Sequence, residues 1–415
     1  MKSCKRLFSF DPDLIRHPQP AYEELHANPS LYRDEVTGSF VVSRYDEVVQ
    51  VLQDSDTFSS RQALSPQLGE FINSLSAELP PERLDSLLLL QQILLCKDGA
   101  DHRRLRKLIN RAFTPSVVNH LKPRISENCD TLINEISDGE TLNFTDRFAK
   151  PFTIGVIAGI LGVPLKDYSK FREWTTAIIT LVNGDPISEN VLTAYMDSAA
   201  EFMEYFSVRS RELLAEPDSS LLSEITRIHH NDKNSLVTDI VGSCISLLVA
   251  GHETTVHLLC GSVLELARNP KIVRRIEEDM ESLVPKFLNE ILRLQSPVQG
   301  LFRTATRNAV IGGELIPKGS SVLVLYGAAN RDPDKFPNAD EISLHRDSRP
   351  GNLAFGFGRH VCLGSALALA EGQIAVSAWI GRFPRSVLAE PADRISYYRH
   401  LLLRGPRSLA ITAHA

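Results

Sequence analysis

The chain has 415 residues, 43% hydrophobic and 23% charged, a length for one large core or two to three average domains and a composition that excludes disordered and collagen-like chains. Its formal net charge of -6 gives no global field to gather nucleic acid or an anionic membrane, which argues against a nucleic-acid role and leaves any basic patch to be argued locally. The six cysteines, Cys4, Cys96, Cys129, Cys244, Cys260 and Cys362, show no Cys-x-x-Cys spacing, which removes zinc ribbons, thioredoxin-type motifs and covalent c-type haem attachment.

Met1 to Phe10 carries two lysines and an arginine but only Leu-Phe-Ser-Phe before Asp11, far short of a signal-peptide core or an anchor. Later apolar runs, around Leu87 to Leu95 and Ile240 to Gly251, are broken by Gln, Ser or Cys before the ~18 residues that a membrane span needs. The expectation is a cytoplasmic protein without a membrane anchor. A short strand signal at Ser39 to Ser43 comes first. Next, Arg103, Arg104, Arg106, Lys107 and Arg111 form a basic run with no acid between Asp101 and Arg111. Apolar residues at three- and four-residue spacing then predict helices at Ile125 to Ser137, Phe152 to Leu161, Asp167 to Val182 and Val191 to Leu214. The polar breaks at Glu216 to Ser220 and His229 to Asn234 read as loops between helices.

From Ser235 to Ala267 the helical pattern hardly pauses before Asn269-Pro270, which predicts a rod of roughly 50 Å at about 1.5 Å per residue. In its middle, Ala250-Gly251-His252-Glu253-Thr254-Thr255 sets a glycine, a carboxylate and two hydroxyls between apolar runs. A glycine without bulk and a threonine able to bond the preceding turn loosen a helix and leave room for water. Glu253 and Thr254 would then form a proton path. Pro285 to Ser296 reads as a helix with Glu290 and Arg293 on one face, closed by Ser296-Pro297. Strand signals return at Ala309 to Leu325, with Gly312-Gly313 and Lys318-Gly319 as turns, and near Leu401 to Ile411. With no repeat and no linker, the pattern is a single domain over 1–415, mainly α with a minor β portion.

Near the C-terminus stands Phe355-Gly356-Phe357-Gly358-Arg359-His360-Val361-Cys362-Leu363-Gly364, followed by an Ala/Leu-rich helix from about Ser365 to Trp379. A glycine-bearing loop thus delivers a cysteine to a helix start. Backbone N–H groups and the positive helix end favour thiolate over thiol there, and glycines let main chain approach a flat ligand closely. The other cysteines read as reduced, buried fillers.

Phe355, Gly356, Gly358, His360, Cys362 and Gly364 match every fixed position of the Phe-Gly-x-Gly-x-His-x-Cys-x-Gly signature of the haem-thiolate monooxygenases. On these residues the chain resembles a bacterial, soluble member of the cytochrome P-450 superfamily, essentially from end to end. The resemblance implies a single triangular fold clasping heme b (iron protoporphyrin IX) between the long helix and the cysteine helix, with Cys362 as the axial iron ligand. It implies that Ala250 and Gly251 lie over the haem and that Glu253 and Thr254 relay protons to the oxygen bound there. Glu-x-x-Arg pairs are usually exposed and contribute little. In the family this pair is buried, structural and joined by a second arginine from before the cysteine loop; Arg346 is the candidate, although Ile342-Ser343-Leu344-His345 departs from the usual Phe-Asp. Buried propionates need cationic hydrogen-bond donors. His102 and Arg106, one turn apart, with Arg303 and His360, resemble the family's set, although Gly99-Ala100 replaces the common Pro-Pro and Arg307-Asn308 the common Glu-Asp.

By the same resemblance the substrate pocket is walled by Leu94, Leu95, Ile179, Val182, Leu247, Val298, Leu301, Phe302, Leu401 and Leu402, which implies a lipophilic, medium to large substrate. The implied reaction activates O2 with two electrons and two protons and hydroxylates, epoxidises or oxidatively couples a small molecule, by analogy in secondary-metabolite biosynthesis. No flavin or iron–sulfur motif in the chain could supply electrons. The basic run would therefore attract a separate ferredoxin, served by an NAD(P)H-dependent ferredoxin reductase, and the chain is expected to be a monomer. Two alternatives stay open. One is a haem-binding sensor or carrier without turnover, which has no need of the Glu253-Thr254 pair, and the other is a peroxide-driven peroxygenase.

Overall fold

The computed structural model describes residues 1–28, 31–35, 37–64, 74–75, 79–110, 113–182, 188–230, 237–346 and 349–415. Arg111 of the basic run lies outside them. Eight helices dominate: Pro115–Asn134, Lys150–Leu161, Tyr168–Val182, Glu189–Ala215, Val237–Gly251, Glu253–Arg268, Met280–Gln295 and Ser365–Arg382. Their ends follow local chemistry. Thr114 accepts from the Val117 N–H and Pro115 occupies the first turn, Ser188 accepts from the Val191 N–H, and Gly162 stops the Lys150–Leu161 helix in the left-handed conformation at φ 69°.

The predicted rod is present but bent. Val237–Gly251 and Glu253–Arg268 meet at His252, whose ψ of -72° departs from helical geometry, in the short polar interruption between two apolar runs. By length and composition alone Asp239–Arg268 could cross a membrane, but 78% of its most apolar window is buried inside the protein. Cys244, Leu248, Val256, Leu259 and Cys260 of this rod belong to the main core, beside the aromatic group of Phe144, Phe148, Phe152 and Trp379. Trp379 comes from the cysteine helix, so core packing fixes the two helices that flank the site relative to each other.

The β portion is small. Its five-stranded sheet has the spatial order Tyr32–Arg33, Phe40–Val42, Ser321–Val324, Leu301–Ala305, Phe58–Ser59, with Phe40–Val42 parallel to Ser321–Val324 and the other pairs antiparallel. Thr141–Asn143, Ala410–Thr412 and Val387–Leu388 form a second sheet, and Ala309–Ile311 with Glu314–Ile316 a hairpin. The strand expected over Leu401 to Ile411 is shorter than the signal suggested: only Ala410–Thr412 joins a sheet, and the earlier residues make isolated bridges, Val298 with Leu403 and Tyr397 with Pro406. Those earlier residues are bent inward to face a cavity.

Candidate active site

The loop before Cys362 is shaped by two glycines with positive φ, Gly356 at 69° and Gly358 at 70°. At Gly358 even a methyl would come within 2.5 Å of the Leu52 carbonyl oxygen, so the loop can lie this close to its neighbour only with glycine there. The Cys362 N–H donates to the Phe355 carbonyl at 2.8 Å, which folds the loop back and presents the sulfur beside the first turn of the Ser365–Arg382 helix. Burial pushes the Cys362 thiol pKa up, while the amides of Gly364 and Ser365 and the Arg106 guanidinium act the other way. A metal ion on the sulfur would tip that balance to the thiolate.

Cys362 opens into a cavity of 740 Å³ walled mainly by apolar side chains. Ala250, Gly251 and Thr254 of the central helix line it, as do Phe355, Gly356, His360 and Gly364 of the cysteine loop and eight of the ten predicted substrate contacts, Leu94, Leu95, Leu247, Val298, Leu301, Phe302, Leu401 and Leu402. Of the other two, Ile179 is buried but is not in the wall, and the side chain of Val182 lies outside those described. Thr254 Oγ1 donates to the Ala250 carbonyl at 2.6 Å, so one threonine takes up a backbone acceptor of the preceding turn. A methyl on Gly251 would meet Ile157 Cδ1 at 2.7 Å. Sequence reasoning missed Phe10, Thr37, Ile157, Leu181 and Glu371 in the wall. Only Glu371 had a signal, as a lone acid inside an Ala/Leu-rich helix. Its buried carboxyl is pushed well above the usual range by desolvation, and its Oε2 has no hydrogen-bond partner.

Glu253 is not part of the cavity wall. Its carboxylate is 2% exposed and turned to His257, with Oε1 3.1 Å from His257 Nε2, while Oε2 lies 3.9 Å from His252 Nε2. Burial opposes its charge, but the two imidazoles prevail and hold the carboxyl down to about 2. A one-residue step turns a helical side chain by about 100°, so Thr254 can face the cavity while Glu253 does not.

The expected propionate donors gather at one edge. The His102 and His360 rings pack at 4.1 Å between centroids, and Arg106 Nη2 donates to the Val361 carbonyl at 2.8 Å. Arg303 is 2% exposed and donates to the Phe302 carbonyl at 2.8 Å; it stands behind the wall rather than in it. Burial pushes His102 down to about 4 and His360 to about 3, with His102 and Arg303 among the charges that reinforce the second shift. Among the described residues His102 Nε2 is buried without a hydrogen-bond partner. The nearby acid, Asp98, is taken up by the Ser60 N–H and the Ser59 hydroxyl. A set of two histidines and two arginines, His102 and Arg303 buried and Arg106 and His360 partly exposed, fits a ligand that brings its own carboxylates.

Glu290 and Arg293 are buried and doubly bonded, Nε to Oε1 at 2.8 Å and Nη2 to Oε2 at 3.0 Å. Arg346 Nε reaches both Glu290 oxygens at 3.0 Å and its Nη1 donates to the Pro337 carbonyl at 2.7 Å. The three residues named from the sequence are thus brought together, tying the Met280–Gln295 helix to the segment that leads to the cysteine loop.

A half-buried cysteine at a helix start, an apolar cavity above it and a partly buried base cluster at its edge define a haem-thiolate protein. The family described as Cytochrome P-450 matches residues 37–412, and the chain belongs to it. Among its relatives, CYP107DY1 of Priestia megaterium is 31% identical, covering 93% of each chain. The 6-deoxyerythronolide B hydroxylase of Saccharopolyspora erythraea is 36% identical over 74% of each. Of solved structures, P450BioI in complex with an acyl carrier protein ligated to hexadec-9Z-enoic acid superposes with a TM-score of 0.84 at 30% identity, covering 97% of this chain and 99% of that one. The protein is a haem-thiolate monooxygenase, an oxidoreductase whose cofactor is heme b held by an axial cysteine thiolate. It uses O2, a lipophilic substrate and redox partners.

Proposed function

We propose that residues 1–415 form one catalytic domain in which Cys362 is the axial ligand and His102, Arg106, Arg303 and His360 hold the propionates. The observation that carries this is Cys362 opening into a 740 Å³ cavity with a cluster of bases at its edge, of which His102 and Arg303 are buried. When bound, haem supplies the two-electron activation of O2 that protein side chains lack. The chain's own residues do the rest. Phe355, Gly356 and Gly364 give the flat group close backbone contact, and Ala250 and Gly251 leave space above it. Thr254 presents its hydroxyl to that space, and Glu253 is the ionisable group next to it in the chain, available to pass on protons.

The wall supports a lipophilic substrate of medium to large size, hydroxylated, epoxidised or coupled within secondary-metabolite biosynthesis. Arg399 and His400 are the polar residues beside Leu401 in the wall and would meet its polar end. Arg103 and Lys107 are exposed, as are Phe357 and Val361 of the cysteine loop at 38% each, which supports docking of a separate acidic ferredoxin on the cysteine side; Arg359 is exposed too but pairs with Asp56 at 3.0 Å. Arg104 is withdrawn from that patch, since it forms a two-bond pair with Asp239 at 2.7 and 3.0 Å. A monomeric, cytoplasmic enzyme fed by a ferredoxin and its reductase completes the reading. The test is Cys362→His in the haem-loaded protein. The reduced carbonyl adduct should change from a thiolate spectrum to that of an imidazole-ligated globin, and an unchanged spectrum would remove Cys362 from the iron.

A further inference from the structure

Glu253 has a partner that the relay reading does not use. His257, one turn further along the Glu253–Arg268 helix, is 1% exposed and faces the Glu253 carboxylate at 3.1 Å. The C-terminal segment closes over the ring. Tyr398 packs on it at 5.6 Å between centroids, and a methyl on Gly405 would stand 2.2 Å from His257 Cδ2. Tyr398 and Gly405 are themselves joined, since the Tyr398 N–H donates to the Gly405 carbonyl at 3.4 Å. Between them the chain runs inward, and Leu401, Leu402 and Leu403 are cavity wall. Among the described residues neither ring nitrogen of His257 makes a hydrogen bond of good geometry, and the polar group its Nε2 approaches is the Glu253 carboxylate, at 3.1 Å.

Among the described residues His252 also faces the carboxylate, its Nε2 3.9 Å from Oε2, and the remaining charged and titratable groups nearby have partners of their own. His252 Nδ1 meets Thr153 Oγ1 at 2.7 Å, Lys150 Nζ donates to Asp146 at 2.8 Å, and Cys260 Sγ meets Thr145 Oγ1 at 3.4 Å. The Arg407 guanidinium sits over the Tyr398 ring at 5.0 Å.

We propose that His257 is a positioning residue that keeps the Glu253 carboxylate turned away from the cavity and toward the C-terminal segment, and that Gly405 and Tyr398 hold His257 in place. The inference rests on the reading of Glu253 as a proton source. A segment whose tip touches substrate and whose base clamps His257 would thereby set when Glu253 can turn inward. Released from the imidazole, a carboxylate that burial already disfavours as an anion takes up its proton closer to neutrality.

The test is the C–O stretching band of the reduced carbonyl complex of the haem-loaded protein, followed by infrared spectroscopy from pH 5 to pH 8. The wild-type band should not move with pH. In His257→Asn it should become two bands that interconvert with pH, in His257→Gln, which keeps a long donor, it should return to one, and in Glu253→Gln/His257→Asn it should again be insensitive to pH. Gly405→Ala, which displaces the ring without altering Glu253 or His257, should reproduce the two bands if His257→Asn fails to load haem. A single pH-independent band in both His257→Asn and Gly405→Ala would overturn the proposal. Glu253→Gln alone separates the two readings: unchanged peroxide release per NADH under ferredoxin-driven turnover would remove Glu253 from the relay, while the infrared result would still decide what holds its carboxylate.

Discussion

The imidazoles of His102 and His360 lie 4.1 Å apart between centroids, and both are held well below the usual histidine range, foremost by burial. Two rings this close cannot both carry charge without a counter-anion. Their arrangement makes sense around a ligand that brings one. Replacing His102 by Phe keeps the packing and removes the donor. The lost charged hydrogen bond should cost about 1.5–3 kcal/mol, so haem should transfer to an acceptor globin roughly 10- to 100-fold faster than from wild type. An unchanged transfer rate would take His102 out of the propionate set.

Thr254→Ala removes the one hydroxyl of the relay pair that reaches the cavity. Haem loading and substrate affinity should stay as in wild type, while most reducing equivalents divert to hydrogen peroxide and product formation falls by about 10²-fold, the low end for general acid–base assistance. Product and peroxide are counted against NADH consumed, and full coupling would exclude the threonine.

Arg293→Ala leaves Glu290 buried with Arg346 and the Ser343 N–H beside it. Breaking one partner from such a pair costs about 3–5 kcal/mol, and here it should appear as loss of soluble protein or of haem. A variant that keeps both would show that the pair is dispensable.

Glu371 gives a pH dependence of opposite sign to that of a paired acid. Its folded carboxyl is raised above the ordinary 4.5 by burial, so the unfolded chain ionises first and stability declines as pH rises above 4.5 toward the folded value. Glu371→Gln removes that decline. Thermal unfolding of the variant should exceed wild type by more at pH 8 than at pH 5; an equal difference at both would mean that the acid is not kept neutral.

The features legible in the sequence are those written in contiguous residues. The cysteine loop, the notch at Ala250 to Thr255 and the Glu290–Arg293 turn each lie within ten positions, and helix periodicity set their surroundings. Strands Tyr32–Arg33 and Phe58–Ser59 are two residues long, too short to show alternation, and could not be read. The orientation of Glu253 depends on His257 being pinned by Gly405, and Phe10 and Ile157 reach the cavity through folding of distant segments. Such contacts leave no local pattern.

The meeting of Gly251 with Ile157 links two properties that sequence treats as separate. Ile157 also borders the cavity, so a side chain added at 251 must swing its terminal methyl elsewhere, and room above the helix notch is exchanged against room for the guest molecule. A relative bearing alanine at the first position is therefore expected to carry a shorter residue, such as valine, at the second.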